Sequence, residues 1–193
     1  MIVVSTNRSA TEKALHRYAS RFFAGLPRNG SSLHLKSPRS VSKNFILELR
    51  SRTGVPVFFF GHGLNPPAIG FLGDDGKPAL DAKNMALLTR RKVAATCCHG
   101  DRVGSVARRN RFSVFGYKGL YWVPKSSRHV TDCEAAALAG PSIIAQGGSP
   151  AQAALAAERE YRRLAQLLYS RNRVGDRAFA SFVAINATTA GAW

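Results

Sequence analysis

Two stretches decide how this chain reads: "VFFFGHG" at 57–63 and "KVAATCCHGD" at 92–101. Each is a short apolar run that breaks into a reactive side chain followed by glycine. The apolar positions are consecutive rather than alternating. That pattern suits a strand buried on both faces, as in a parallel sheet covered by helices.

Working outward, the flanking sequence alternates strand and helix. "MIVVST" is a β-branched run that predicts a first strand. "SATEKALHRYASRFFAGLP" opens with Ser9 and Glu12 at capping-box spacing. Its apolar residues Ala14, Tyr18, Phe22 and Leu26 recur at helical period, and Gly25 and Pro27 end it. "SSLHLKS" predicts a second strand and "SVSKNFILELRSRTG" a second helix closed by Gly54. "VPVFFF" is then the third strand. "LNPPAIGFLGDDGKP", rich in Pro and Gly, reads as a long loop, and "ALDAKNMALLTRR" as a helix. "KVAATC" is the fourth strand, "VGSVARRN" a short helix and "RFSVFGY" the fifth strand. This rhythm implies an α/β fold with a mostly parallel sheet and helices on both faces.

The rest reads as mostly helical. In "GGSPAQAALAAEREYRRLAQLLYSRN", Ser149 is the expected N-cap and Pro150 the first helical residue. Ala151, Ala154, Leu155, Tyr161, Leu164, Ala165 and Leu168 form the expected apolar stripe. "DRAFASFVAINA" predicts a last helix, and 124–149 shows no clear pattern. A length of 193 residues fits one domain, divided into a core over 1–123 and a helical part over 124–193.

Composition narrows the class. With 45% hydrophobic and 20% charged residues, a globular fold is expected. No apolar run approaches the ~18 residues that cross a bilayer, and the first residues lack a secretory leader pattern. Three cysteines, Cys97, Cys98 and Cys133, are an odd count with two adjacent, which does not resemble a disulfide framework. The expectation is a cytoplasmic protein with no membrane partner. Twenty-eight Lys and Arg against 11 acidic residues give a formal charge of +17, which attracts polyanions such as nucleic acid or an acidic protein. The basic residues are scattered in sequence, with no zinc-finger, helix-turn-helix or RNP pattern, so they read as a basic surface.

In an open parallel sheet, ligands gather beyond the carboxyl ends of the strands. If the third and fourth strands are neighbours, His62 shares that rim with Cys97 and Cys98. A thiolate is a nucleophile, and an adjacent imidazole can accept the thiol proton. Gly63 leaves its N–H unobstructed for an oxyanion, and the nucleophile's own N–H is the expected second donor. Successive strand side chains face opposite ways, so one cysteine of the pair is expected to face His62. The bland alternatives are a loop histidine at 62, a small buried residue at Cys97, an incidental His99, a structural Cys133 and a capping Asp101. Adjacent Cys-Cys-His is poor geometry for zinc, and neither a Walker A nor a G-x-G-x-x-G sequence occurs, so no cofactor is expected.

"FFFGHG" followed by "VAATCCHG" resembles the caspase-like cysteine peptidases: caspases, metacaspases and CHAT-type relatives. The resemblance covers roughly residues 1–123. It implies a three-layer caspase-like sandwich, with 1–123 matching the large subunit. It also implies a cysteine endopeptidase working through an acyl-enzyme on a protein or peptide, with a regulatory protein partner and a role in bacterial signalling or defence. "CCHG" is similar to the metacaspase Cys-Cys-His-Ser-Gly and the caspase Cys-Arg-Gly, both of which assign the nucleophile to Cys98. The CHAT pattern Cys-x-x-Gly assigns it to Cys97, so Cys98 is the expected nucleophile, with His62 as base, and Cys97 the alternative. Thr96 stands where metacaspases carry Asp and caspases carry Gln, so neither substrate preference transfers. No specificity strand is evident after the fifth strand. The competing expectation is a catalytically silent module that binds through its basic surface.

Overall fold

The structure, a computed structural model, describes residues 1–27, 32–171 and 173–193. Ser31 of the predicted second strand and Asn172 at the end of the predicted long helix lie outside the described residues. The apolar runs form strands β1 (Ile2–Ser5), β2 (Leu33–Lys36), β3 (Val57–Phe60), β6 (Lys92–Thr96) and β7 (Ser113–Tyr117). They assemble as one sheet in the order β2-β1-β3-β6-β7-β8, in which β8 (Ala190–Ala192) pairs antiparallel with β7 and all other pairs are parallel. After β2 the chain crosses back over β1 to lay down β3, so the strand order reverses between β1 and β3.

Burial on both faces is why these strands are continuously apolar. On one face Val3, Phe58, Phe60, Ala94, Phe115 and Tyr117 meet α1 (Ala10–Ala24), α4 (Ser127–Ala145), α5 (Pro150–Ser170) and α6 (Val174–Thr189). On the other, Ile2, Val4, Val57, Phe59, Val93, Ala95 and Val114 meet α2 (Ser42–Ser51), α3 (Gly100–Ser105) and a 3-10 turn at Met85–Leu88. Each fully buried phenylalanine contributes about 2 kcal/mol in area terms. The capping box of Ser9 and Glu12 is formed, and Ala14, Tyr18 and Phe22 are buried as their period predicts.

Four expectations are corrected. The long loop at 64–78 contains β4 (Gly70–Leu72), which forms an antiparallel hairpin with β5 (Pro78–Asp81). The helix expected over 79–91 is therefore a strand followed by the 3-10 turn. Phe71 stacks on Phe59 at 4.2 Å, so burial of the hairpin against β3 overrides the helical propensity of that segment. Helix α3 ends at Ser105, whereas "VGSVARRN" predicted helix to 110. In α5 the buried stripe is Ala153, Ala157, Tyr161, Leu164, Ala165 and Leu168; Ala151 is exposed and Leu155 is 66% exposed, because the helix turns its small alanines toward α4. The unreadable 124–149 segment is α4, which holds Pro141 within it. Among the described residues no helix is long and apolar enough to cross a membrane.

Two polar features brace this core. Arg91, only 3% exposed, donates to the carbonyls of Leu87 (2.9 Å), Val55 (3.0 Å) and Leu49 (2.7 Å). It ties α2 to the start of β6. At the end of β1 the buried Ser5 hydroxyl lies 3.0 Å from His16 Nδ1 and 2.8 Å from His34 Nε2. Burial, with His16 and Lys36 nearby, pulls His34 down to about 4. Burial also lowers His16, with Lys36 acting in the same direction and Asp74 opposing.

Arg91→Ala is expected to strand three buried carbonyls and to cost about 3 kcal/mol in urea unfolding. The histidine pair gives a second expectation. Above pH 6.5 both imidazoles are neutral in the folded and unfolded chains. Between pH 6.5 and about 4 the unfolded chain binds protons that the folded cluster resists, so stability falls as pH falls. Discounted for partial exposure, the loss is about 1–2 kcal/mol, read as a lower urea midpoint at pH 4.5 than at pH 7.5. His34→Gln should flatten that dependence.

Candidate functional site

Strands β3 and β6 are direct parallel neighbours, paired Phe58↔Ala94, Phe59↔Ala95 and Phe60↔Thr96. His62 and Cys98 each stand two residues beyond the last pair, on the same rim and at matching positions of the register. The alternation of faces carries through the rim: Cys97 joins the cluster with Ala95 and Val93, and Cys98 packs against the opposite cluster with Ala94 and Phe60. Gly63 closes the gap between the two strand ends. A Cβ built there would lie 1.9 Å from the Cys98 carbonyl oxygen, so only glycine permits this approach.

The two adjacent cysteines differ in their surroundings. Cys97 is 1% exposed, and burial pushes its thiol well above the ordinary range, with Cys98 and Asp101 adding to the rise. Cys98 is half-buried. Its sulfur accepts the Tyr121 N–H at 3.3 Å and lies 3.8 Å from the Tyr121 carbonyl. Cys133 is remote in α4, and burial pushes its thiol up to about 12.

His62 is half-buried, and its Nε2 lies 3.4 Å from the Ser9 hydroxyl that caps α1. That arrangement leaves Nδ1 for a second partner. The hairpin holds the histidine's backbone, since Leu72 N–H donates to the His62 carbonyl at 2.9 Å and Leu64 N–H to the Gly70 carbonyl at 3.0 Å. The N–H groups of Gly63 and Cys98 have no hydrogen-bond acceptor among the described residues. A cleft of about 410 Å³ opens on the His62 side, lined by His62, Gly63, Leu64, Asn65 and Leu72; neither Cys97 nor Cys98 is among its lining residues. A larger cavity, about 930 Å³, lies against α5 instead, and its lining carries no thiol, hydroxyl or imidazole.

The turn after Cys98 is sharp. His99 adopts a left-handed backbone (φ 58°) and its N–H donates to Gly119 at 2.5 Å. Asp101 was expected as a cap before α3; it sits inside that helix and accepts the Gly119 N–H at 3.2 Å. Thr96 is fully buried, and its hydroxyl has no partner among the described residues. No group of three or more His, Cys, Asp or Glu among the described residues is arranged to hold a metal.

Sequence reasoning missed the segment at 119–122, which lies alongside Cys98. Asn186 clamps it: Asn186 Oδ1 accepts the Trp122 N–H at 2.9 Å, and Nδ2 donates to the Trp122 carbonyl at 2.7 Å. Below it, the Tyr121 and Tyr161 hydroxyls meet at 2.5 Å. Asn186 is a polar residue on the buried stripe of α6 with Ala180, Val183 and Ala187, which is the sequence signal that could have found it. Comparison with models of known families finds no match, and comparison with curated proteins finds none.

Iodoacetamide at neutral pH is expected to alkylate Cys98 first, with Cys97 and Cys133 at least tenfold slower, as read by peptide mass. Gly63→Ala is expected to displace Cys98 and to cost about 2 kcal/mol or more in stability.

Proposed function

We propose that the chain is a cysteine endopeptidase of caspase-like fold, with Cys98 as nucleophile and His62 as base. The observation that carries this reading is the shared rim. A half-buried cysteine and an imidazole occupy matching positions beyond two paired strands, and the N–H groups of Gly63 and Cys98 have no acceptor among the described residues. The strand order and the antiparallel β8 at the sheet edge support a three-layer arrangement of the kind the resemblance implies. The sealed Cys97 supports Cys98 as the reactive thiol.

In this reading His62 Nδ1 takes the Cys98 proton as Sγ attacks the scissile carbonyl. The carbonyl π electrons move onto oxygen, and the N–H groups of Gly63 and Cys98 hold that charge, each worth ~3 kcal/mol. On collapse the C–N bond breaks, and His62 returns the proton to the departing amine. The acyl-enzyme is then hydrolysed: His62 deprotonates a water, which adds to the thioester, and the Cys98 thiol leaves reprotonated. Ser9 steadies the ring from the Nε2 side. The 119–122 segment holds the sulfur in place through Tyr121.

The test is a peptide library at neutral pH with wild type, Cys98→Ala, Cys97→Ala and His62→Ala. Cleavage by wild type and by Cys97→Ala is expected, with none by Cys98→Ala and a loss of about 10²–10⁴-fold for His62→Ala. Activity surviving in Cys98→Ala but lost in Cys97→Ala would overturn the nucleophile assignment. Absence of wild-type cleavage, together with no labelling of Cys98 by an acyloxymethyl ketone panel, would favour the silent binding module.

A further inference from the structure

The arginines that look scattered in sequence gather at the opposite end of the sheet. The turn before β6 and the turn before β7 lie side by side there. Arg90 N–H donates to the Arg111 carbonyl at 2.7 Å, and the Thr89 hydroxyl donates to the Asn110 carbonyl at 3.0 Å. Arg90, Arg108, Arg109 and Arg111 are all exposed on these two turns, and none has an acidic partner among the described residues. The buried Arg91 holds the C-terminal end of α2 to the same place through the Leu49 carbonyl. Asp101 is the lone acidic residue from 82 to 131 in the sequence, and it sits at the Cys98 end. The nearest carboxylate on α2, Glu48, is paired with Arg52 at 2.9 Å, so the four exposed arginines of the two turns keep no acidic partner among the described residues.

Backbone conformation adds a second observation. Arg90 (φ 60°) and Arg111 (φ 55°) both hold left-handed backbones. Glycine or asparagine would sit there at less cost than an arginine, which carries a penalty of about 1 kcal/mol. Two arginines at such positions, facing each other, are not explained by folding preference. Trp193 supplies the third observation. Its backbone pairs with Val114 at the start of β7, and its indole packs on Gly104 and Gly191 while staying 38% exposed.

We propose that this rim is a docking surface for single-stranded nucleic acid. Guanidinium forks bind phosphate oxygens in pairs and keep their charge at every physiological pH. A partly exposed aromatic on the same end of the sheet as a cationic track can offer its open edge and face to an unpaired base. An acidic protein is a poorer fit, because protein interfaces are anchored by buried apolar side chains. Trp193 is the one exposed large apolar residue placed at this rim among the described residues, and none belongs to 89–92 or 106–113, so the rim lacks the apolar cluster a protein partner would bury. Recognition would be of the sugar-phosphate chain and the face of a base, without sequence preference. The site is independent of the peptidase reading.

Fluorescence anisotropy tests it with labelled 20-nucleotide single-stranded RNA and DNA, the matching duplex, and a 20-residue polyglutamate, from 50 to 200 mM salt. One variant removes the rim: Arg90→Asn, Arg108→Gln, Arg109→Gln and Arg111→Asn, with asparagine used where the backbone is left-handed. A control removes four exposed charges elsewhere: Lys13→Gln, Lys43→Gln, Lys125→Gln and Arg159→Gln. Single strands should bind wild type with a steep salt dependence. The rim variant should lose at least about 100-fold at 50 mM salt and about 3 units of log–log salt slope, at ~0.7 per phosphate contact. The control should lose only a few-fold. Trp193→Ala should weaken single-strand binding by about tenfold and leave the salt slope in place. Equal losses in rim variant and control would overturn the proposal, as would polyglutamate or the duplex binding more tightly than the single strands. Circular dichroism verifies folding, and the exposed pair Arg108→Gln with Arg109→Gln gives a milder variant that should still lose about tenfold.

Discussion

The parallel register of β3 on β6 is the constraint on which the candidate site depends. Pairing Phe60 with Thr96 puts His62 and Cys98 at matching positions on one rim. A slip of one residue would turn every side chain of the strand to the other face, and Cys97 would exchange places with Cys98. The core forbids that slip. Phe58 and Phe60 fill the face under α1, while Phe59 and Val57 fill the face under α2 and the hairpin. The packing that stabilises the sheet therefore also selects which sulfur is accessible.

Around that register, two short pieces of chain do the positioning. The β4–β5 hairpin pairs with His62 and Gly63 from one side, and the 119–122 segment holds the Cys98 sulfur from the other. The hairpin is itself anchored by Asp74, which accepts from Asn7 N–H at 2.9 Å and from the Ser40 hydroxyl at 2.6 Å. The loops after β1 and β2 are thereby bound to the same rim. Side chains set on loops gain precision when neighbouring backbone hydrogen bonds fix them, and both candidate groups are held in this way.

What could be read from the sequence follows from where the information lies. Continuous apolar runs, the capping box at Ser9 and Glu12 and the glycine after His62 are local signals, and they led to the parallel strands and to the His62–Cys98 rim. The hairpin was not legible because Pro, Gly and Asp dominate its turns, and its strand character comes from Phe71 packing on Phe59. β8 is three small residues, "AGA", with no β propensity of its own; its pairing with β7 makes it a strand. The clamp by Asn186 joins residues 64 positions apart. The arginine rim likewise arises from turns brought together by the β6–β7 pairing, although their basic residues are separated in the chain.

The two ends of the sheet are electrically separate. Seven residues of extended chain divide Arg91 from Cys98, or about 23 Å at 3.3 Å each. At physiological ionic strength the screening length is about 8 Å, so the arginine field has decayed through nearly three lengths before it reaches the sulfur. Charge neutralisation at the arginine rim would therefore act on the half-buried thiol only across this distance, weakened by solvent on the exposed side. Any influence of one rim on the other has to pass through packing, and the connecting element is β6, whose Val93, Ala94, Ala95 and Thr96 are fully buried between helices on both sides. A strand so confined transmits little displacement, since close-packed interiors offer no free volume for a graded shift. The fold thus keeps the His62–Cys98 rim and the arginine rim at opposite ends of one confined strand, so a change at either is felt at the other only through β6.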